Sequence, residues 1–298
     1  MKIAILGAGA LGCYYGARLQ ESGQDVSFIV RSEYDYLKEH GLEVKSLHGN
    51  ISLPRIKVYR EASEVGPVDL VVVAWKSTAN AGFAKALPPL MGPDTVVATL
   101  QNGMGNAEEI ARIIPSDRIY VGLCFICAMR EEPGHINHLE GGNIQFAPFI
   151  PTPEGTEKAR ELSELFANAG IKRAPLTPQS KSSGTNSSGT SRLTGFAWLW
   201  AASALQNSTK IRENVVRARR IMEEVVQAAR ARGYACRKIW LNSPFPYGNH
   251  GAFIPSSAVD YNEGRPSNTA IWETSLQGPA TGASVPEWEL LDKAIRKP

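Results

Sequence analysis

Cysteine is scarce. The chain has four in 298 residues, Cys13, Cys124, Cys127 and Cys236, too few and too scattered for a disulfide-built secreted scaffold. Long apolar runs are also missing. The opening Met1-Lys2-Ile3-Ala4-Ile5-Leu6 reaches Gly7-Ala8-Gly9 after a handful of residues. A signal peptide needs a longer apolar stretch and a cleavage site, and a membrane helix needs about 20 apolar residues. Charge of one sign is not in excess: 32 Lys and Arg against 29 Asp and Glu give +3. With no long block of like charge, neither nucleic acid nor an acidic membrane is indicated as a partner. These absences point to a soluble cytoplasmic protein. What is present is a globular composition, 43% hydrophobic and 20% charged, unlike a disordered, collagenous or coiled-coil chain. The length suits one large domain or two ordinary ones.

The N-terminus carries the most specific pattern. Lys2–Leu6 is a short apolar run suited to a strand buried on both faces. It runs into Gly7-Ala8-Gly9-Ala10-Leu11-Gly12, after which Cys13–Gln20 reads as a helix and Val26–Val30 as a second strand. A glycine turn between strand and helix is the context a dinucleotide fingerprint requires. Gly7 would permit the tight turn, Gly9 the approach of a pyrophosphate, and Gly12 close packing of helix on strand. Backbone N–H groups of Ala8, Ala10 and Leu11 belong to the same phosphate-facing turn.

The end of the second strand bears on which dinucleotide. NAD sites place Asp or Glu there for the ribose 2′-hydroxyl, whereas this strand ends Ile29-Val30-Arg31-Ser32. Arg31 lies about 20 residues beyond the glycines, where a cation suits a 2′-phosphate, so NADPH is the expected cofactor. The alternative is that Arg31 is a solvated loop residue. Further strands are expected at Val68–Lys76 and Thr95–Leu100, the second leading into Gln101-Asn102-Gly103-Met104-Gly105-Asn106. In an open parallel sheet ligands sit outside the carboxyl ends of the strands, which would bring Lys76 and Asn102 to the crevice of the glycine loop. Individually, Lys76 reads equally as a surface lysine and Asn102 as a turn former. Tyr120–Met129 and His135–Phe149 read as completing strands. Cys124 and Cys127 fall within the first of these without a second ligand pair, which favours buried thiols over zinc or redox chemistry. His135 and His138 have no catalytic spacing and read as structural.

The glycine loop, Arg31, the strand-end Lys76 and the Gln-Asn-Gly-Met-Gly run together resemble ketopantoate reductase (2-dehydropantoate 2-reductase). The likeness covers the first half closely and returns at Arg219–Gly233 and Pro255–Pro266. It implies an α/β fold with an N-terminal Rossmann-type parallel sheet domain, residues 1–174, and a C-terminal all-α domain, residues 175–298. It also implies an NADP-dependent oxidoreductase that reduces 2-dehydropantoate to pantoate for pantothenate synthesis. Lys76 and Asn102 would then border nicotinamide and substrate, and Ser256, in Ile254-Pro255-Ser256-Ser257, would bind substrate. An isolated serine after proline is also a helix cap. The partner implied is a small 2-oxo acid, with no nucleic acid or membrane, and a homodimer is a candidate assembly. No metal is expected.

The middle of the chain departs from that family. Where a general-acid lysine and two asparagines are expected, on a helix reading W-x-K-L-x-W-N-x-x-x-N-G, the sequence has a Ser/Thr/Gly run over Pro178–Ser191. At face value that run is a linker. Read one base out of frame, however, Ser188-Gly189 gives Trp and Gly189-Thr190 can give Asn. Continued from Ser183 to Ala201, the displaced codons can give W-x-K-L-x-W-N-I-P-F-N-G-F-C-V-A-L-G. Each displaced codon allows a few residues, but a long run of matches with the lysine and both asparagines correctly spaced is hard to obtain by free choice. Residues 183–201 are therefore read as a frame-shifted translation, with the true linker as the alternative. In either case the catalytic lysine is absent from its expected place, and Lys181, the nearest, lies a turn away. Downstream, Ile211–Arg232 reads as a helix, with Val215, Val216, Ile221, Met222, Val225 and Val226 at helical spacing. Asn268 stands where the family has a glutamate, and Asn268–Ser284 fits the family poorly. Two other readings stay open: a non-catalytic NADPH-binding relative, and a reductase of another 2-oxo acid.

Overall fold

A computed structural model of the chain describes residues 1–102 and 105–172, with isolated residues 220, 223, 224, 227 and 286. The Ser/Thr/Gly run with Lys181, the stretch 183–201, the expected helix over 211–232 apart from four of its positions, Cys236, Ser256 and Asn268–Ser284 all lie outside the described residues. The chain divides into two compact units. One takes in Met1–Gln101 and Asn106–Pro178, the other Asn102–Gly105 and Gln179–Pro298.

The first unit opens with strand β1 (Lys2–Leu6), helix α1 (Ala10–Glu21), strand β2 (Asp25–Ile29) and helix α2 (Tyr34–His40). Strands β3 (Leu42–Ser46), β4 (Ile51–Leu53), β5 (Lys57–Tyr59) and β6 (Val68–Val73) follow. After a short 3₁₀ turn at Ser77–Gly82 come α3 (Phe83–Ala86), β7 (Met91–Thr99) and α4 (Asn106–Ala111). The unit closes with β8 (Ile119–Glu132), β9 (His135–Pro148) and α5 (Pro153–Asn168).

All nine strands join one sheet in the order β4-β3-β9-β8-β7-β6-β1-β2-β5. From β5 to β8 every pairing is parallel, which is the doubly wound order of a dinucleotide-binding fold. The rest of this parallel-dominated sheet is mixed. The hairpin of β8 and β9 is antiparallel, β3 then adds parallel to β9, and β4 adds antiparallel to β3. A hairpin needs only a tight turn, here Pro133-Gly134 with Gly134 at φ +71°, whereas a parallel neighbour requires a crossover.

The central strands are apolar on both faces because both faces are covered. Ile3 and Ile5 of β1, with Leu70 and Val72 of β6, join Tyr14, Tyr15 and Leu19 of α1 and Phe166 of α5. The alternate residues Ala4, Leu6, Val71 and Val73 join Phe83, Leu90 and Ile110 on the opposite face. Helix α5 shows why a polar-looking sequence docks. Gly155, Ala159, Leu162 and Phe166 are buried at spacings of four, three and four, one stripe of an amphipathic helix. Its start is fixed by Thr152, whose hydroxyl accepts from the Gly155 N–H at 2.9 Å, and by Pro153 at the first helical position. The Phe166 ring meets Phe146 edge-on at 4.9 Å between centroids. Burial of such a side chain contributes about 1.5–3 kcal/mol. Cys13 and Cys127 are buried and Cys124 half-buried, all as free thiols. His138 is almost wholly buried. Its Nε2 donates to the Glu140 carbonyl at 3.0 Å, and its Nδ1 lies 2.8 Å from the Ser46 hydroxyl.

Candidate functional site

The glycine loop stands at the carboxyl end of β1, beside the point where the sheet order reverses between β1 and β6. There the connections that follow the two neighbouring strands run to opposite faces of the sheet and leave a crevice. Each glycine of the loop has a different physical reason. Gly7 has φ +97°, and a Cβ on it would fall 2.6 Å from the Trp75 backbone. A Cβ on Gly12 would collide with the Gly7 carbonyl oxygen and would lie 3.0 Å from the Ile5 side chain. At Gly9 the result is the opposite: its φ of −74° and ψ of −172° suit any residue, and a Cβ there would meet nothing within 4 Å. A glycine demanded by neither backbone strain nor protein packing leaves clear space in front of a helix start. Gly9 is the N-cap of α1, and its carbonyl accepts from the Cys13 N–H at 2.9 Å. The N–H groups of the first helical turn have no intrahelical acceptors and carry the positive end of the helix dipole. The loop residues therefore fit a dinucleotide pyrophosphate. Helix α1 begins at Ala10, a turn earlier than the apolar pattern suggested. Burial, with the nearby Glu33 carboxylate, pushes the Cys13 thiol well above the usual thiol range.

Arg31 and Ser32 follow β2 and are exposed. Arg31 makes no hydrogen bond or ion pair among the described residues. The next residue, Glu33, turns inward and is paired with Arg130 of β8. Nearby, the Arg60 guanidinium stacks 4.2 Å from the Tyr34 ring centroid and binds Asp35 at 2.8 Å.

Lys76 is exposed three residues past β6, and it opens the 3₁₀ turn Ser77–Gly82. Beneath that turn lies a polar cluster that sequence reading missed. The Asn80 carboxamide oxygen accepts from the Trp75 indole N–H at 3.2 Å and from the Gln101 amide at 2.7 Å. Its amide donates to Asn106 at the start of α4, at 2.9 Å, and the Thr99 hydroxyl donates to Gln101 at 3.0 Å. Thr99, Gln101, Asn80 and Asn106 are each less than 9% exposed. Four buried amides and hydroxyls satisfying one another fix the carboxyl ends of β6 and β7. The only signal in sequence was Gln101 and Asn106 flanking the Asn-Gly-Met-Gly run, and Asn80 gave none. Asn102 is exposed and belongs to the second unit. Among the described residues there is no cluster of His, Cys, Asp and Glu that could hold a metal, and no helix is long and apolar enough to cross a membrane.

A family model described as ketopantoate reductase PanE/ApbA matches residues 3–151. A 2-dehydropantoate 2-reductase of Nostoc sp. is 42% identical over 173 residues, covering 57% of this chain and 54% of that protein. The chain spans about half the length of the curated relatives it matches. Among solved structures, a 2-dehydropantoate 2-reductase from Geobacter metallireducens GS-15 is similar with a TM-score of 0.87 and 34% identity. It covers 99% of each chain. D-mandelate dehydrogenase with NADH and anilino(oxo)acetate shares the fold at a TM-score of 0.83 and 20% identity, covering 99% of this chain and 97% of that one.

Proposed function

This chain belongs to the ketopantoate reductase family, and from that premise we propose that it binds NADPH and reduces 2-dehydropantoate to pantoate. The observation that carries the reading is the pairing of clear space at Gly9 with an exposed cation, Arg31, that has no partner among the described residues. The loop of Gly7, Ala8, Gly9, Ala10, Leu11 and Gly12 would hold the pyrophosphate, with Arg31 on the 2′-phosphate. When bound, NADPH supplies the hydride that the ketone carbon receives. The chain must then orient the 2-oxo acid and deliver a proton to the ketone oxygen. Lys76 and Asn102 are assigned by resemblance to the border of nicotinamide and substrate, and Ser256 to the substrate. In this assignment residues 1–174 form the cofactor domain and residues 175–298 the substrate domain, which would supply the proton from a lysine.

A second reading has a specific basis. The run Pro178–Ser191 lacks that lysine in its expected place, as a non-catalytic NADPH-binding relative would. Two measurements on the full chain separate the readings. Nicotinamide fluorescence should show NADPH bound more tightly than NADH, and Arg31→Ala should remove the preference. Oxidation of bound NADPH on adding 2-dehydropantoate supports the reductase. Binding without oxidation supports the remnant, and oxidation only by another branched 2-oxo acid reassigns the substrate. A preference for NADH would overturn the role given to Arg31.

A further inference from the structure

The segment after β2 carries opposite charges in close succession, Arg31 and Glu33. Two residues apart, their Cα atoms are separated by at most about 7 Å. Acidic groups in this neighbourhood favour NAD, because a carboxylate accepts from a ribose hydroxyl and repels a 2′-phosphate. Glu33 is thus a liability for an NADPH site unless its charge is answered. It is answered by β8. One carboxylate oxygen accepts from the Arg130 guanidinium, and the other faces the Gly134 backbone N–H at 3.4 Å, in the turn between β8 and β9. The Glu33 side chain is only 10% exposed and that of Arg130 is 39% exposed. The pair is therefore screened less by solvent than a surface ion pair would be.

Resting on the proposed NADPH reading, we propose that Arg130 is a positioning residue for cofactor choice. By pairing with Glu33 it cancels that carboxylate and holds it at the β8–β9 turn. The segment then presents the net charge of Arg31 alone to the 2′-phosphate. Arg130 itself need not touch the cofactor. Selectivity for NADPH is in this way set partly by a strand far along the chain, and a sequence carrying Glu33 without a cation at 130 would lose it.

The test is a charge cycle on the full chain, read as dissociation constants for NADPH and NADH by nicotinamide fluorescence. Arg130→Gln leaves a bare carboxylate beside the phosphate site and should weaken NADPH about tenfold while moving NADH less than about twofold. Glu33→Gln leaves the guanidinium unanswered and should shift the ratio the other way, tightening NADPH about threefold. The double variant Glu33→Gln/Arg130→Gln should return the ratio to that of the parent, and Arg130→Lys should stay close to it. If Arg130→Gln does not fold, Glu33→Gln still carries the test. Both cofactors moving together in the single variants, or an unchanged ratio in Glu33→Gln, would overturn the proposal and leave the pair a structural tether. A parent chain with no NADPH preference, or one whose preference survives Arg31→Ala, would instead overturn the cofactor reading and the inference with it.

Discussion

The two glycines that bracket the start of α1 should respond oppositely to the same added methyl. At Gly9 the backbone conformation suits alanine, and the added Cβ meets no protein atom within 4 Å. Loss of chain freedom in the unfolded state favours Gly9→Ala by about 0.4–1 kcal/mol. Alanine is a poorer N-cap than glycine, by an amount on the order of 0.5–1 kcal/mol. The two offset, so the variant should melt within about 2 °C of the parent. The methyl would nevertheless occupy the space assigned to the pyrophosphate. Losing even one charge-assisted hydrogen bond there costs about 1.5–3 kcal/mol, or roughly 10- to 150-fold in affinity. At Gly12 the methyl runs into the Gly7 carbonyl oxygen, with Ile5 and Ala74 side-chain atoms at 3.0 and 3.1 Å. Helix α1 would have to move off the sheet, at a cost of about 1–3 kcal/mol or more. Thermal unfolding and nicotinamide fluorescence on both variants make the comparison. Gly9→Ala that binds NADPH like the parent, or that unfolds like Gly12→Ala, would refute this division of roles.

Asn80→Ala removes the bonds to Trp75, Gln101 and Asn106 and should cost about 2–4 kcal/mol, measured by urea titration followed through tryptophan emission. A loss below about 0.5 kcal/mol would mean the cluster is not coupled. His138 titrates below the usual histidine range, chiefly because burial disfavours its charge. The unfolded histidine takes up its proton first, near about pH 6.5, so its contribution is full above that pH and is lost as pH falls through the folded value. His48 and Arg18, facing it, act in the same direction, and His138→Gln should flatten the slope of stability against pH between about 7 and 5. Resequencing the coding DNA across residues 175–215 should reveal a one-base displacement near 183–201. An intact frame there would establish the linker and favour the non-catalytic reading.

The elements most legible in the sequence were those with both faces buried. β1 spans Lys2–Leu6 as its apolar run indicated, and β2, β6, β8 and β9 fall within a few residues of theirs. Residues of β1 and β6 face hydrophobic neighbours on both sides, so unbroken apolar runs mark them, whereas β9 alternates buried with partly buried residues. Strands β4 and β5 form the edges of the sheet, β3 lies between β4 and β9, and all three carry little pattern. β3 reads Leu-Glu-Val-Lys-Ser, β4 and β5 have three residues each, and β3 pairs with β9 from far along the chain. No local window contains that partner. Helix α5 went unnoticed for a related reason: Gly155 and Ala159 occupy its buried stripe, and small residues give little hydrophobic contrast.

The candidate site divides along the same line. The glycine loop was legible because its constraints are local: a positive φ at Gly7, a helix packed one turn later at Gly12, and clear space between. The expectation for Arg31 rested on its distance from that loop alone. The groups that hold such residues in place were not legible, since each depends on a partner remote in sequence. Asn80 meets Asn106 because β6 and β7 are neighbours in the sheet, and Glu33 meets Arg130 although β7, β6 and β1 lie between β8 and β2 in the strand order. A fingerprint can therefore locate a cofactor loop, while the balance of charge around that loop is a property of the fold. On the proposal above, the carboxylate two residues from Arg31 is balanced from β8, by a residue that no spacing rule connects to the loop.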